Sequence, residues 1–186
     1  MVDLKDLPAR EGEALSAADF AFQVGPGGDS ASWVNAPAPQ RIIVRRRAGE
    51  DHNDRVEVIW GRGAITDTWL KVTMKANART GLARPDVFYF GSLVGESGDA
   101  PTPLRVSALD LAATKRTLNT RGAATQSTDF DLDGRVDALD LAMVKRSLGR
   151  SLGTFNAPVE PAAISFVSAL GAGQRRQMDE GNPLLG

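Results

Sequence analysis

Five aspartates fall within the twelve residues Asp129-Phe-Asp-Leu-Asp-Gly-Arg-Val-Asp-Ala-Leu-Asp140. They stand at positions 1, 3, 5, 9 and 12 of the stretch, with a glycine at position 6. Carboxylates held this close repel one another, and the repulsion is relieved when a cation sits among them. Oxygen-only donors in this number suit Ca2+, which takes six to eight hard ligands. Asp129, Asp131 and Asp133 would supply three oxygens and the Arg135 carbonyl a fourth. Asp137 would act directly or through water, and Asp140 would close the shell. Gly134 permits the sharp turn that wraps the chain around an ion. The spacing is that of an EF-hand-like calcium loop, and a plain acidic turn accounts for it less well.

The chain following this loop occurs twice. Shifted by thirty residues, Arg105-Val-Ser-Ala-Leu-Asp-Leu-Ala-Ala-Thr-Lys-Arg-Thr-Leu118 matches Arg135-Val-Asp-Ala-Leu-Asp-Leu-Ala-Met-Val-Lys-Arg-Ser-Leu148 at ten of fourteen positions. That identity indicates a duplicated unit. In the same alignment Asp129, Asp131, Asp133 and Gly134 meet Asp99, Pro101, Pro103 and Leu104. Proline brings no side-chain oxygen, so only Asp99, Ser107 and Asp110 remain as donors in the first copy. One tight Ca2+ site in the second loop is expected, with the first loop weak or metal-free. Each loop runs into a helix. Leu141, Val144 and Leu148 share one face at i, i+3 and i+7, and Asn119 and Gly149 mark the two helix ends.

A calcium loop followed by a single helix, given twice, resembles the type I dockerin repeat over about residues 97–151. The units run from 99 to 118 and from 129 to 148. The resemblance implies a protein partner, cohesin, met by loop positions 10 and 11 and by a basic pair on the helix. Those residues are Ala108, Leu109, Lys115 and Arg116 in the first copy, and Ala138, Leu139, Lys145 and Arg146 in the second. Met143 lies at i+4 from Leu139 and extends that face. Exposed leucines rimmed by basic groups would suit a protein interface. Leucines that instead fill the space between the helices would not. The same two leucines separate docking from a second reading, a structural end-cap packed on the chain's own β-domain. Burial of Leu109 and Leu139 against residues 14–95 would mean a cap; exposure would mean docking.

The elements ahead of the repeat are of another kind. Asp19–Val24, Arg41–Val44, Arg55–Trp60, Trp69–Met74 and Val87–Phe90 are short, β-branched and aromatic, separated by glycine, proline and aspartate clusters. Val56, Val58 and Trp60 alternate with Arg55, Glu57 and Ile59. Leu70, Val72 and Met74 do the same in the next run. An α+β chain is expected: an antiparallel, immunoglobulin-like β-sandwich, whole or incomplete, over residues 14–95, then the loop–helix pair. This order resembles the β-module ahead of dockerin-like repeats in large exported bacterial proteins. Residues 1–13 read as a flexible lead, and residues 152–186 as a tail that could form a short helix over 161–170.

Chemistry other than metal binding finds little support. His52 is the sole histidine and lies in the acidic turn 49–54, so solvation explains it better than catalysis. Arg45, Arg46 and Arg47 fit a solvated strand edge. Trp60, Trp69 and Tyr89 fit the core of a small sandwich better than a sugar platform. No nucleophile elbow, phosphate loop or zinc spacing occurs, so an enzyme is not expected. With 186 residues, 42% hydrophobic, 24% charged and a net charge of −1, the composition argues against nucleic-acid binding. No apolar run of eighteen residues occurs, so no helix that spans a membrane is expected. The absence of cysteine excludes disulfides. Met1-Val-Asp-Leu-Lys-Asp-Leu-Pro lacks the layout of a secretory signal. The resemblance nonetheless implies an extracellular or cell-surface setting, as part of a longer exported protein or of a gene read from too late a start. A non-catalytic piece of a polysaccharide-degrading enzyme, reaching glycan through its parent, is a further reading.

Overall fold

The computed structural model describes residues 1–5, 7–8, 14–99, 103–121 and 127–156. The expected helix at 161–170 lies outside them. The fold is α+β. One antiparallel sheet runs in the order β1 (Val2–Leu4), β6 (Asp54–Ile59), β5 (Arg41–Arg45). A second runs β4 (Val34–Asn35), β2 (Phe20–Gly25), β7 (Thr68–Met74), β8 (Asp86–Ser92). The helices are α1 (Ala108–Thr117) and α2 (Ala138–Ser147). A two-stranded parallel ribbon joins β3 (Gly28–Asp29) to β9 (Phe155–Asn156).

Alternation decides the first core. Leu70, Val72 and Met74 point inward from β7, Phe20 from β2 and Phe88 from β8, while Val2, Leu4 and Val56 come from the other sheet. These residues form one cluster, and burying each large apolar side chain contributes about 1.5–3 kcal/mol. The expected pattern in β6 holds, since Val58 and Trp60 pack on the same cluster as Val56. Within the lead expected to be flexible, three residues form regular structure. Val2–Leu4 is a strand paired with β6, because two inward apolar residues cover the edge of the smaller sheet.

A second core lies between the larger sheet and the repeat. Leu93, just past β8, meets Val106, Val144 and Leu152, with Trp69, Leu104, Leu111 and Phe130 packed around them. Gly95 makes this approach possible. A Cβ there would lie 3.3 Å from the backbone of Val144, and its φ of +97° suits glycine. Polar contacts reinforce the junction. The Trp69 indole N–H donates to the Gly153 carbonyl at 2.7 Å, and Arg150 pairs with Asp67 at 2.8 Å.

The repeat has internal two-fold character. The chain after each helix pairs with the end of the opposite loop. Val136 N–H donates to the Thr120 carbonyl and Asn119 N–H to the Val136 carbonyl. Likewise, Val106 N–H donates to the Arg150 carbonyl and Gly149 N–H to the Val106 carbonyl. Val106 and Val136 are both fully buried. Asn119 and Gly149 take positive φ just after the helices, as expected of stop residues. On the expected apolar face of α2, Val144 is buried and Leu141 half-buried, but Leu148 is 44% exposed. The helix ends at Ser147, and the extended Leu148 leaves the helical face.

Candidate metal centre

In the second loop Asp129, Asp131 and Asp133 converge, with ligand atoms within 4.8 Å of one another. The loop aims backbone N–H groups at its own carboxylates. Asp133 N–H donates to Asp129 Oδ1 and Asp131 Oδ1, both at 3.2 Å, and Gly134 N–H to Asp129 Oδ2 at 2.9 Å. Gly134 has φ +86°, and nothing crowds the place of a Cβ, so the backbone turn itself calls for glycine. Leu132 also takes positive φ, and its side chain is exposed, so position 4 adds nothing to the donor set.

Asp140 is fully buried beneath this group. It accepts from Phe130 N–H at 2.7 Å on Oδ1 and from Asp137 N–H at 2.9 Å on Oδ2. It thereby clamps the start of the loop to the start of α2. Asp137 is the N-cap of α2 and accepts from Leu139 N–H at 2.7 Å. Arg135 donates its N–H to Asp133 at 2.8 Å and bridges to Arg121 across the two-fold. Of the six expected ligand residues, then, three converge directly, Asp140 abuts them, and Asp137 and Arg135 frame the exit.

Burial is the main force on the Asp131 carboxyl and pushes its pKa up. The charges of Asp133 and Asp140 add to it, while Asp133 N–H and Arg62 pull the other way. An all-carboxylate, half-enclosed group of this kind fits a hard divalent cation such as Ca2+. When bound, the cation would offset the mutual repulsion of these side chains.

The first loop departs from the thirty-residue alignment. Asp110 accepts from Ser97 N–H at 2.6 Å, as Asp140 accepts from Phe130 N–H, but the sequence separation is 13 residues and not 10. Three extra residues lengthen this loop. The counterpart of Asp129 is therefore Glu96, and not Asp99. Glu96 is 3% exposed and groups with Asp99 and Asp110 to form a second acidic triad. Burial pushes the Glu96 carboxyl up, Gly98 N–H opposes this, and the charges of Asp110 and Asp99 add to the rise. Ser107 caps α1 and donates its hydroxyl to Asp99 at 2.9 Å. Fixed-offset alignment missed Glu96. The signal that could have found it is an acidic residue just past β8 beside a glycine-rich turn, once a loop of variable length is allowed.

The residues expected to meet a partner are mostly at the surface. Leu109 is 65% and Leu139 55% exposed, and Ala108, Ala138, Lys115, Arg116, Lys145 and Arg146 are exposed as well. Met143 is half-buried. The leucines neither fill the space between the helices nor pack on the β-unit. The other candidates fall elsewhere. His52 is exposed in a 3₁₀ turn, Arg45 pairs with Glu57, and Arg46 pairs with Asp54. Trp60 meets Phe22 edge-on, Trp69 packs at the second core, and Tyr89 meets Trp33 edge-on and Ser30 by a hydrogen bond. These three rings serve separate places in the packing. No helix among the described residues is long and apolar enough to cross a membrane.

No curated protein and no solved structure matches the chain. Residues 104–149 do match a family, described as the dockerin type I domain, whose members in general bind Ca2+ and dock onto cohesins; the repeat that follows the β-unit is similar to that domain in loop, helix and order.

Proposed function

We propose that the chain is a non-catalytic docking unit, in which the dockerin-like repeat binds a cohesin-like partner and the β-unit serves as its mount. The observation that carries this reading is the division of the repeat's surface. Val106, Val144 and Leu111 turn toward the β-unit, while Leu109 and Leu139 remain exposed beside Lys115-Arg116 and Lys145-Arg146. Two equivalent apolar faces with basic rims would let a partner meet either copy. The β-unit, with two antiparallel sheets on one core, is read as an immunoglobulin-like module. The setting is read as extracellular or cell-surface, within a longer exported protein that could degrade polysaccharide and reach glycan through its other parts.

Ca2+ would be held tightly by loop two. The Glu96–Asp99–Asp110 triad would take a weaker second ion, because three carboxylates gather there, with the Ser97 and Ser107 hydroxyls, against the five aspartates of loop two. Calorimetric titration should then give one strong and one weak phase. Two equal sites would contradict the ranking, and no heat would remove calcium from the account.

The end-cap reading has its own support in the second core and the β3–β9 ribbon, which tie the repeat to the β-unit. The two readings part on one experiment. Purified cohesin modules and the exported proteins of the native organism are offered to the wild type and to a Leu109→Asp/Leu139→Asp variant, with Ca2+ and with chelator. Calcium-dependent capture that the variant loses supports docking. The same partner held by both proteins, or no partner at all, leaves the end-cap.

A further inference from the structure

Both acidic clusters receive a residue from the β-unit or its exit. Glu96 follows β8 by four residues, and its N–H donates to the Leu93 carbonyl at 3.1 Å, inside the second core. Arg62 comes from the β6–β7 connection. Its Nη2 lies 3.1 Å from Asp131 Oδ2. A tight turn presents it, closed by Ala64 N–H donating to the Gly61 carbonyl at 3.1 Å. Neither residue falls within the matched segment 104–149.

The charges around Asp131 make this contact informative. Asp129, Asp133 and Asp140 face it from its own loop and helix, and all three are acidic. Among the described residues, the ion pair that reaches loop two is the one from Arg62. The guanidinium side chain is 63% exposed, whereas that of Asp131 is 10% exposed. Arg62 can therefore swing into water cheaply, but Asp131 cannot leave the loop. A divalent cation seated at loop two needs the same carboxylate and repels the same guanidinium.

We propose that Arg62 is a stand-in cation for the second calcium loop: it holds Asp131 when the loop is empty and is displaced when Ca2+ binds. Calcium then exchanges a contact between the β-unit and the repeat for coordination within the repeat. Occupancy of the loop sets how firmly the β-unit grips that end of the repeat, leaving the apolar junction at Leu93, Val106 and Val144 in place. The inference rests on Ca2+ binding at loop two.

The test uses the full chain as wild type, Arg62→Ala and Arg62→Lys, with Arg45→Ala as a control at an ion pair away from the loop. Calcium affinity is measured by calorimetry at low salt and at high salt, and melting is followed in chelator and in saturating Ca2+. Arg62→Ala should bind Ca2+ about two- to five-fold more tightly at low salt, with the gain shrinking as salt screens the charges. In chelator it should melt about 1–3 °C below wild type, and with Ca2+ the two should coincide. Arg62→Lys should fall between them, and Arg45→Ala should match wild type in affinity. Unchanged or weaker binding by Arg62→Ala, with wild type binding normally, overturns the stand-in role. No binding by wild type overturns the calcium reading itself, and this inference with it.

Discussion

The acids of the β-unit and the acids of the repeat are handled in opposite ways. In the β-unit three aspartates are each met by an arginine of the same unit. Asp3 pairs with Arg55 at 2.8 Å, Asp19 with Arg79 at 2.7 Å and Asp54 with Arg46 at 2.6 Å. The Arg55 guanidinium holds the Asp3 carboxyl below the usual range. Burial alone would push Asp19 and Asp54 up, but backbone N–H groups and their arginines outweigh it and hold both down. In the acidic loops of the repeat, carboxylates face one another, and burial pushes up Asp131 and also Glu96, which reaches the first loop from the exit of β8. The β-unit carries the counter-charges of Asp3, Asp19 and Asp54 in its own sequence. The repeat leaves most of that work to a cation from outside, so the same residue type acts as a brace in one region and as a receptor in the other.

The largest expected effect lies in the repeat. Ca2+ at about 100 times its Kd should stabilise the chain by about 2.7 kcal/mol, or roughly 5–10 °C in Tm. Asp129→Ala or Asp140→Ala should abolish most of that response in melts with and without chelator. Asp99→Ala should leave the strong phase unchanged, because Asp99 is exposed and belongs to the first loop.

In the β-unit, Arg79→Ala removes an arginine from fully buried Asp19. Denaturant unfolding should show a loss of about 1–3 kcal/mol, since Ser16 and Asn77 still donate to the carboxylate. Ca2+ should not restore it. A chain in which calcium rescues Arg79→Ala would not have two separate modes of compensation.

The pH dependence should follow the β-unit. Folded-state pKa values held below the unfolded value for Asp3, Asp19 and Asp54 contribute stability that is present above about pH 4. That stability is lost as pH falls from there through the lowered folded values. Denaturant midpoints measured from pH 6 to pH 2.5 in chelator should drop below pH 4. An Asp3→Asn/Arg55→Gln variant should drop less. The smallest effect concerns Leu139→Asp, which should change stability by about 0.5 kcal/mol or less because the side chain is exposed. A larger loss in the melt would mean that this face is structural.

Much of this molecule was legible in the chain itself. Strand positions in β2, β5, β6, β7 and β8 follow from short β-branched and aromatic runs, and the inward residues follow from alternation. Helices α1 and α2 stop before Asn119 and Gly149, local signals of positive φ, whereas their N-caps, Ser107 and Asp137, lie inside the loops that run into them. Duplication exposed the repeat, and aspartate spacing exposed the second loop. Those features depend on residues within a dozen positions of one another, where backbone geometry leaves few choices.

Contacts between distant segments were decided only by tertiary structure. The three-residue extension of the first loop shows itself where Asp110 reaches Ser97, and it brings Glu96 in where a fixed offset had placed Asp99. Val2–Leu4 became a strand because an edge of the smaller sheet was available, which nothing local to those three residues announces. Leu148 left the core because the helix ended one residue earlier, while Leu109 and Leu139 stayed outside because the junction with the β-unit uses another face. Arg62 lies far along the chain from Asp131, and no periodicity links them; the ion pair exists because the second core sets the β6–β7 turn beside the calcium loop. Spacing along a chain determines which residues can share an ion, but which cation reaches them first depends on packing between segments that the spacing does not relate.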